Sequence, residues 1–482
     1  MSPRFWFALA LPLCVAMPPR SAHSAEPPVN VVIIYADDLG YGDLACYGSQ
    51  VNKTPNLDRL AAEGVRFTQF QSCCPFCAPS RCGLQTGRYP FRAGITTNPS
   101  PDAGINDIGM PDRETTLGEA FQSAGYATCC IGKWHLGHKP QYHPSRHGYD
   151  EYLGILYSND MRPVELWDQD RVIEYPVVQA TLTRRYTERA LDFIERMKDR
   201  PFFLYMPHAM PHKPLAASEA FYKKSGNGLY ADVMAELDWS VGQVVDQLDR
   251  LGLGERTLVL FSSDNGATYG GSNGNLRGMK GQVFEGGFRV PMIARMSGRV
   301  LAGHVCDEPA SIIDFFPTAL AAANVRVPAE VKLDGQNLMP LLTDRAAKSP
   351  HEALFTVRQP DVLTVRAGRW KLIAVASPAT GARLKPGDPY TDWRAPDGVT
   401  ILAPYEQAHP SQFPGIETGD TFKGNALFDL ETDPTEQHDV AADHPEIVAR
   451  LAKLVADLSA EWPKESTERR RLPPEKAKSR AK

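Results

Sequence analysis

The chain has 482 residues, a length that suggests two to three domains and allows a large buried core. Its 52 basic and 57 acidic side chains leave a formal charge of −5, small for this size, so no global field argues for nucleic acid. The composition is that of a folded protein, the 40 prolines point to many loops, and an anionic substrate would have to be recognised locally.

Arg4 precedes an apolar run from Phe5 to Met17, and small residues follow up to Ala25, the pattern of a signal peptide cleaved near Ser24 or Ala25. The run is too short to span a bilayer comfortably, so an exported protein, periplasmic or secreted and without stable membrane insertion, is expected. Cys14 follows Leu13 instead of the small residue that lipoprotein processing wants. Val29 to Tyr35 is a nearly continuous apolar run, as a buried central strand should be. Asp37 and Asp38 then fall at the strand's C-terminal end, where open α/β sheets place their ligands, although a solvated turn would also take them. Thr54 to Gly64 reads as a packing helix with Leu57, Leu60 and Ala61 on one face.

Cys77-Ala78-Pro79-Ser80-Arg81 predicts a helix beginning near Pro79, with Cys77 just before its N-terminus. Orphan N–H groups and the helix dipole favour negative charge there, so a thiol would be acidified and nucleophilic, as in a cysteine protease or phosphatase. The alternative is a structural cysteine in a disulfide-bearing loop. Besides Cys14 there are Cys46, Cys73, Cys74, Cys77, Cys82, Cys129, Cys130 and Cys306. An oxidising compartment permits disulfides among them, and their spacing does not resemble a zinc site.

Thr115 or Thr116 caps a helix from Leu117 to Ala124, stopped by Gly125; the strand Tyr126 to Ile131 then leads into Gly132-Lys133-Trp134-His135. Residues 140–178 are aromatic and proline-rich without clear period and read as loops over the sheet edge that shape a pocket. A helix from Ala180 to Met197 and a strand from Phe202 to Met206 follow. The next loop carries His208 and His212 four apart, but Pro211 and Pro214 argue against metal ligands on a helix. Tyr230 to Leu251 is a long amphipathic helix, with Val233, Met234, Leu237, Val241, Val244, Val245 and Leu248 along its apolar stripe. Thr257 to Phe261 is a strand that runs into Ser263-Asp264-Asn265-Gly266. The glycine-rich stretch after it lacks the strand-GxGxxG-helix arrangement of a dinucleotide site. Ile312 to Ala323 reads as a helix. Beyond Leu342 come short antiparallel strands, Ala353 to Val357, Val362 to Val365 and Lys371 to Val375, then a closing helix from Ile447 to Trp462. The basic tail from Lys464 reads as disordered more than as a binding arm. Strands and helices alternate, which favours α/β.

Together these segments resemble the type I, formylglycine-dependent sulfatases. The resemblance rests on C-x-P-S-R from Cys77 to Arg81, DDxGxGD from Asp37 to Asp43, GKWHLG from Gly132 to Gly137 and the histidine of an xHxP loop, His212. It extends to SDNG from Ser263 to Gly266, RGxK from Arg277 to Lys280 with Glu285-Gly286-Gly287, and LFDLETDPTEQHDV from Leu427 to Val440. It implies an alkaline-phosphatase-like α/β sandwich with a large mixed, mostly parallel sheet flanked by helices. The implied division is a signal peptide over 1–24, a catalytic domain over 25–342, a C-terminal subdomain with an antiparallel sheet and a helix over 343–463, and the tail over 464–482.

The resemblance also implies that a formylglycine-generating enzyme converts Cys77 to formylglycine, whose hydrated gem-diol is the nucleophile. A divalent cation, Ca2+ before Mg2+, would be held by Asp37, Asp38, Asp264 and Asn265 together with position 77, and hard oxygen donors suit these ions better than zinc or copper. Lys133 and Lys280 would offset sulfate charge, Arg81 would hold the diol and the metal-site carboxylates, His212 would protonate the leaving alcohol, and His135 would be the base for sulfate release. The stretches 132–152 and 86–98 look most like the group containing arylsulfatase A and N-acetylgalactosamine-6-sulfatase, so a sulfated carbohydrate, first a galacto-configured 6-sulfate, is expected. A phosphate or phosphonate monoester hydrolase is the alternative. A non-catalytic carbohydrate-binding protein on this scaffold would have lost a ligand or Cys77, and neither is lost.

Overall fold

The computed structural model describes residues 1–2, 27–329, 331–358, 361–375, 385–390, 396–412 and 415–462; most of the expected signal peptide and the basic tail lie outside them. The strands in chain order are β1 Asn30–Ala36, β2 Val65–Phe67, β3 Phe70–Gln71, β4 Ala127–Lys133, β5 Glu151–Ile155, β6 Leu166–Asp168, β7 Arg171–Glu174 and β8 Phe202–Pro207. They continue with β9 Thr257–Ser263, β10 Met292–Arg295, β11 His304–Cys306, β12 Ala310–Ser311, β13 Leu354–Arg358, β14 Asp361–Ala367, β15 Trp370–Ile373 and β16 Ala426–Asp429. The helices are α1 Pro55–Ala62, α2 Cys77–Thr86, α3 Pro90–Ala93, α4 Leu117–Ser123, α5 Leu182–Met197, α6 Leu229–Arg250, α7 Glu285–Phe288, α8 Phe315–Ala322, α9 Met339–Thr343 and α10 Pro445–Ala460.

β1 is buried along its whole length because both of its faces are covered. Val31, Ile33 and Tyr35 enter one core with residues of α2, α4 and α8, while Val32, Ile34 and Ala36 enter a second core with residues of α1, α5 and α6. All seven stripe residues of α6 are buried in that second core, each contributing roughly 1.5–3 kcal/mol. The sheet between the two layers has ten strands in the order β11-β2-β10-β9-β1-β8-β4-β5-β6-β7. Its centre, β9-β1-β8-β4-β5, is parallel, and antiparallel pairings enter at β10 and at the β5–β6–β7 edge. The expected α/β sandwich is therefore the observed one. Thr116 caps α4 in a reciprocal capping box with Glu119, as its spacing predicts.

One expectation is corrected. Residues 140–178 are not all loop: β5, β6 and β7 extend the main sheet there. The strand signal is hidden because Gly154 interrupts β5, opposite Gly132 of β4, and a Cβ at Gly154 would stand 1.8 Å from the Gly132 carbonyl oxygen. β7 is an exposed edge strand, so it carries no alternation to read. Among the described residues the eight cysteines are free thiols, so none of the disulfides that an oxidising compartment permits is formed there.

β13 to β16 form a separate antiparallel sheet on which α10 packs, through Leu451 against Val365, Leu372 and Leu427. The Val357 N–H donates to the Cys73 carbonyl at 2.9 Å, and Lys371 of β15 reaches the buried Glu285 at 3.0 Å, so this unit is tied to the segments on either side of Cys77 and Lys280. No helix among the described residues is long and apolar enough to cross a membrane.

Candidate active site

Four neighbouring parallel strands deliver their C-terminal ends to one place. Asp37 and Asp38 follow β1, Lys133 ends β4, the His208–Pro214 loop follows β8, and Asp264 and Asn265 follow β9. Asp38 and His135 hold left-handed backbone there, with φ of 61° and 57°, a conformation uncommon for residues with side chains. All the expected site residues except Lys280 are less than 4% exposed.

Cys77 is the first residue of α2, two positions earlier than Pro79 suggested, because proline is tolerated throughout a first helical turn and does not fix the start. α2 is buried on every side, so its polar residues find partners inside. Ser80 Oγ lies 2.9 Å from Tyr35 Oη and 2.8 Å from Ser72 Oγ, and Tyr149 Oη lies 2.9 Å from Gln85 Oε1. The expected acidic thiol is not found. Burial, and then the Asp264 charge, push Cys77 well above its usual value in spite of Lys133 and Lys280. These surroundings favour the protonated thiol, which counts against the cysteine protease and phosphatase readings.

The Cys77 Sγ stands 3.4 Å from Asp37 Oδ1, 3.9 Å from Asp38 Oδ1 and 3.3 Å from Lys280 Nζ. Lys280 Nζ also lies 2.6 Å from Asp38 Oδ1, and Lys133 Nζ donates to Asp37 Oδ2 and to Ser158 Oγ, the latter at 3.0 Å. Arg81 Nε and Nη2 both donate to Asp264 Oδ2, at 3.1 and 2.8 Å, and Nη1 donates to the Lys133 carbonyl at 2.8 Å. Three buried carboxylates, two lysines and an arginine thus neutralise one another.

Burial alone would raise the Asp37 carboxyl, but Lys133, with His212, Arg81 and Lys280, outweighs it and holds Asp37 well below the usual carboxylate range. Asp38 is lowered in the same way, by Lys280 and His212 against burial. Asp264 moves the other way: burial and the Asp37 charge push it up to about 7 despite Arg81. Two acceptors inside the cluster, Asp38 Oδ2 and Asn265 Oδ1, are buried and have no hydrogen-bond partner among the described residues. Unpartnered buried oxygens in a set of hard donors fit a divalent cation of the calcium or magnesium type. Donor atoms of Asp37, Asp38, Cys77 and His212 lie within 4.8 Å of one another.

His135 is fully buried, with neither ring nitrogen partnered, and burial, then Lys133 and Arg81, holds it neutral far below its ordinary value. His212 Nε2 lies 3.6 Å from Asp38 Oδ2, and burial lowers this histidine too. His208 does not join them. It faces the second core beside Tyr186, with Nε2 3.5 Å from Ser240 Oγ.

Sequence reasoning missed the segment after β5. Ser158 binds Lys133, Asn159 Oδ1 lies 2.9 Å from His212 Nδ1, and Asp160 is 5% exposed with Oδ1 unpartnered and its charge acting on His212. The available signal was a polar Ser-Asn-Asp run directly after the apolar Leu153–Tyr157 stretch, the same pattern that singled out Asp37 and Asp38. Gln179, which holds Asn159, pairs in turn with Leu402, and Leu402 lines a cavity of about 820 Å³ together with Val178, Tyr390, Tyr405 and His409.

Residues 29–325 match the Sulfatase family. The N-acetylgalactosamine-6-sulfatase of Canis lupus familiaris is 40% identical over 386 residues, 73% of this chain and 72% of that protein. The steryl-sulfatase of Mus musculus is 35% identical over 433 residues, 71% of this chain and 69% of that protein. Among solved structures, Ps i-CgsB in complex with k-i-k-neocarrahexaose superposes with a TM-score of 0.74 at 27% identity, covering 90% of this chain and 94% of that one.

Proposed function

The chain belongs to the sulfatase family and is a sulfuric ester hydrolase; we propose that it removes sulfate from a carbohydrate, a galacto-configured 6-sulfate first, using a formylglycine made from Cys77 and a divalent cation. The observation that carries this reading is the convergence on Cys77 Sγ of Lys280 Nζ and Asp37, beside the unpartnered oxygens of Asp38 and Asn265. Export, and the division into a catalytic domain over 25–342 and a subdomain over 343–463, belong to the same proposal.

Asp37, Asp38, Asp264 and Asn265 would hold the cation, Ca2+ before Mg2+, which when bound draws electron density from an ester oxygen. Position 77, oxidised by a formylglycine-generating enzyme and hydrated, supplies the attacking oxygen. The remaining work falls to residues already in place. Lys133 and Lys280 offset the negative charge of the ester from two sides. Arg81 fixes Asp264 and the end of β4, which keeps Lys133 on Asp37. His212 gives a proton to the leaving alcohol from Nε2, the nitrogen on the side of Asp38. His135, neutral and unpartnered, takes up a proton when sulfate leaves.

The carbohydrate reading has its own support. The unpartnered Asp160 oxygen asks for a hydroxyl donor, and a sugar offers hydroxyls near the ester where a sterol offers hydrocarbon. The relative named N-acetylgalactosamine-6-sulfatase and the similar structure in complex with k-i-k-neocarrahexaose point the same way.

Two measurements test the proposal together. Mass spectrometry of the Cys77 peptide should find the aldehyde in place of the thiol, and a panel of defined sulfated saccharides should release sulfate. An unmodified thiol in active enzyme would refute the formylglycine reading. A higher kcat/KM for matched phosphate or phosphonate monoesters would replace the sulfate reading.

A further inference from the structure

We propose that Asn159 and Gln179 form the support that orients His212, a positioning role that rests on the reading of His212 as the proton donor. The two side chains grip each other: Asn159 Nδ2 donates to Gln179 Oε1 at 2.9 Å, and Gln179 Nε2 donates to the Asn159 carbonyl oxygen at 2.6 Å. Asn159 Nδ2 also faces the carbonyl oxygens of His212 and Pro214, each at 3.3 Å. Three acceptors around one nitrogen leave a single orientation for the amide, with Oδ1 aimed at His212 Nδ1.

His212 Nδ1 has a second acceptor, the Lys213 carbonyl oxygen, at 2.5 Å. With acceptors on both sides, Nδ1 keeps its hydrogen whether the ring is neutral or charged, so Nε2 is the nitrogen that hands a proton over. Nε2 is also the nitrogen that faces the acid cluster. When the ester S–O bond breaks, its electron pair stays on the leaving oxygen, and the Nε2 proton moves to that oxygen. Asn159 and Gln179 are 0% and 1% exposed, so no bulk water competes for these bonds, and the Gln179 N–H is anchored in turn on the Leu402 carbonyl at 3.1 Å. Neither residue touches the reacting atoms.

A set of phenyl sulfates running from 4-nitrophenyl to 4-methoxyphenyl separates orientation from mere structure. A nitrophenolate leaves without help, whereas a methoxyphenolate needs the proton. For Asn159→Ala, kcat should fall by less than about threefold on 4-nitrophenyl sulfate and roughly 10–100-fold on 4-methoxyphenyl sulfate, with KM changed by less than about threefold. Asn159→Asp keeps an acceptor at Nδ1 but sets a second oxygen against the Gln179, His212 and Pro214 oxygens that hold the amide, so it should recover only part of the loss. Gln179→Met should tilt the series in the same sense by a smaller factor, and it decides the matter should Asn159→Ala not fold.

His212→Ala provides the reference and should tilt the series more steeply than either. A uniform loss across the series, or none, in the Asn159 and Gln179 variants while His212→Ala tilts would overturn the orienting role alone. An untilted His212→Ala would overturn the proton-donor reading and this inference with it.

Discussion

Acid should destabilise this protein through histidines that have nothing to do with catalysis, and His208 gives the clearest case. It is 0% exposed, its Nδ1 has no partner among the described residues, and burial pulls its pKa from 6.5 down to about 3. Between those two values the unfolded chain binds a proton that the folded protein does not, so stability is complete above pH 6.5 and is lost as pH falls towards 3. Each pH unit in that window is worth about 1.4 kcal/mol, so His208 alone should remove about 2 kcal/mol between pH 6.5 and pH 5. His147, buried beside Trp134 and lowered to about 4 by its burial, adds to the same slope. Urea unfolding of the wild type and of His208→Gln at pH 7, 6 and 5 isolates the contribution. The stability gap between the two should narrow by about 2 kcal/mol from pH 7 to pH 5. A gap that does not change with pH would refute the reasoning, because it would mean that His208 charges as readily inside the protein as outside it.

Cys77→Ser should bind its cation as the wild type does, measured by elemental analysis of the purified protein, yet lose multiple turnover by at least about a thousandfold; ordinary turnover would contradict the formylglycine proposal. Asn265→Ala removes one of the two unpartnered oxygens, and calorimetric titration with Ca2+ should show affinity roughly 10–100-fold weaker, whereas unchanged affinity would take Asn265 out of the ligand set. Lys371 Nζ sits 3.0 Å from Glu285 and 2.6 Å from Glu436, all three buried, so Lys371→Met should destabilise by about 3–5 kcal/mol in urea. The double variant Lys371→Met/Glu436→Gln should recover much of that loss; if it is no more stable than Lys371→Met, unpaired charge is not the cause.

What was legible in the sequence, and what was not, follows from how each residue gets its neighbours. Strands covered on both faces announce themselves as apolar runs, so β1, β8 and β9 were readable; Asp37 and Asp38 stood at a strand end where ligands or a solvated turn both fit, and the resemblance singled them out together with Asp264. β5 to β7 have one glycine-broken member and one exposed one, so periodicity had nothing to act on. The protonation of Cys77 was misjudged from the helix end alone. A helix N-terminus stabilises a thiolate by its dipole, but complete burial and the carboxylates of Asp264 and Asp37 act on the same atom, and those charges come beside it only once β1 and β9 lie side by side.

Ser158, Asn159 and Asp160 mark the boundary most sharply. Lys133, His135 and His212 sit in short stretches that the family resemblance marks, whereas Asn159 gains its meaning from Gln179, twenty residues on, and from His212, fifty-three residues on. The parallel register of β5 against β4 sets Gly132 beside Gly154, which fixes how far the chain must run before Ser158 meets Lys133 and Asn159 meets the loop after β8. A side chain at Gly154 would therefore do more than strain one strand pair: by pushing β5 off β4 it would move the Lys133 partner and the His212 support together. Loss of proton donation and loss of charge neutralisation should accordingly appear together in a Gly154→Val variant, but separately in Asn159→Ala and Ser158→Ala.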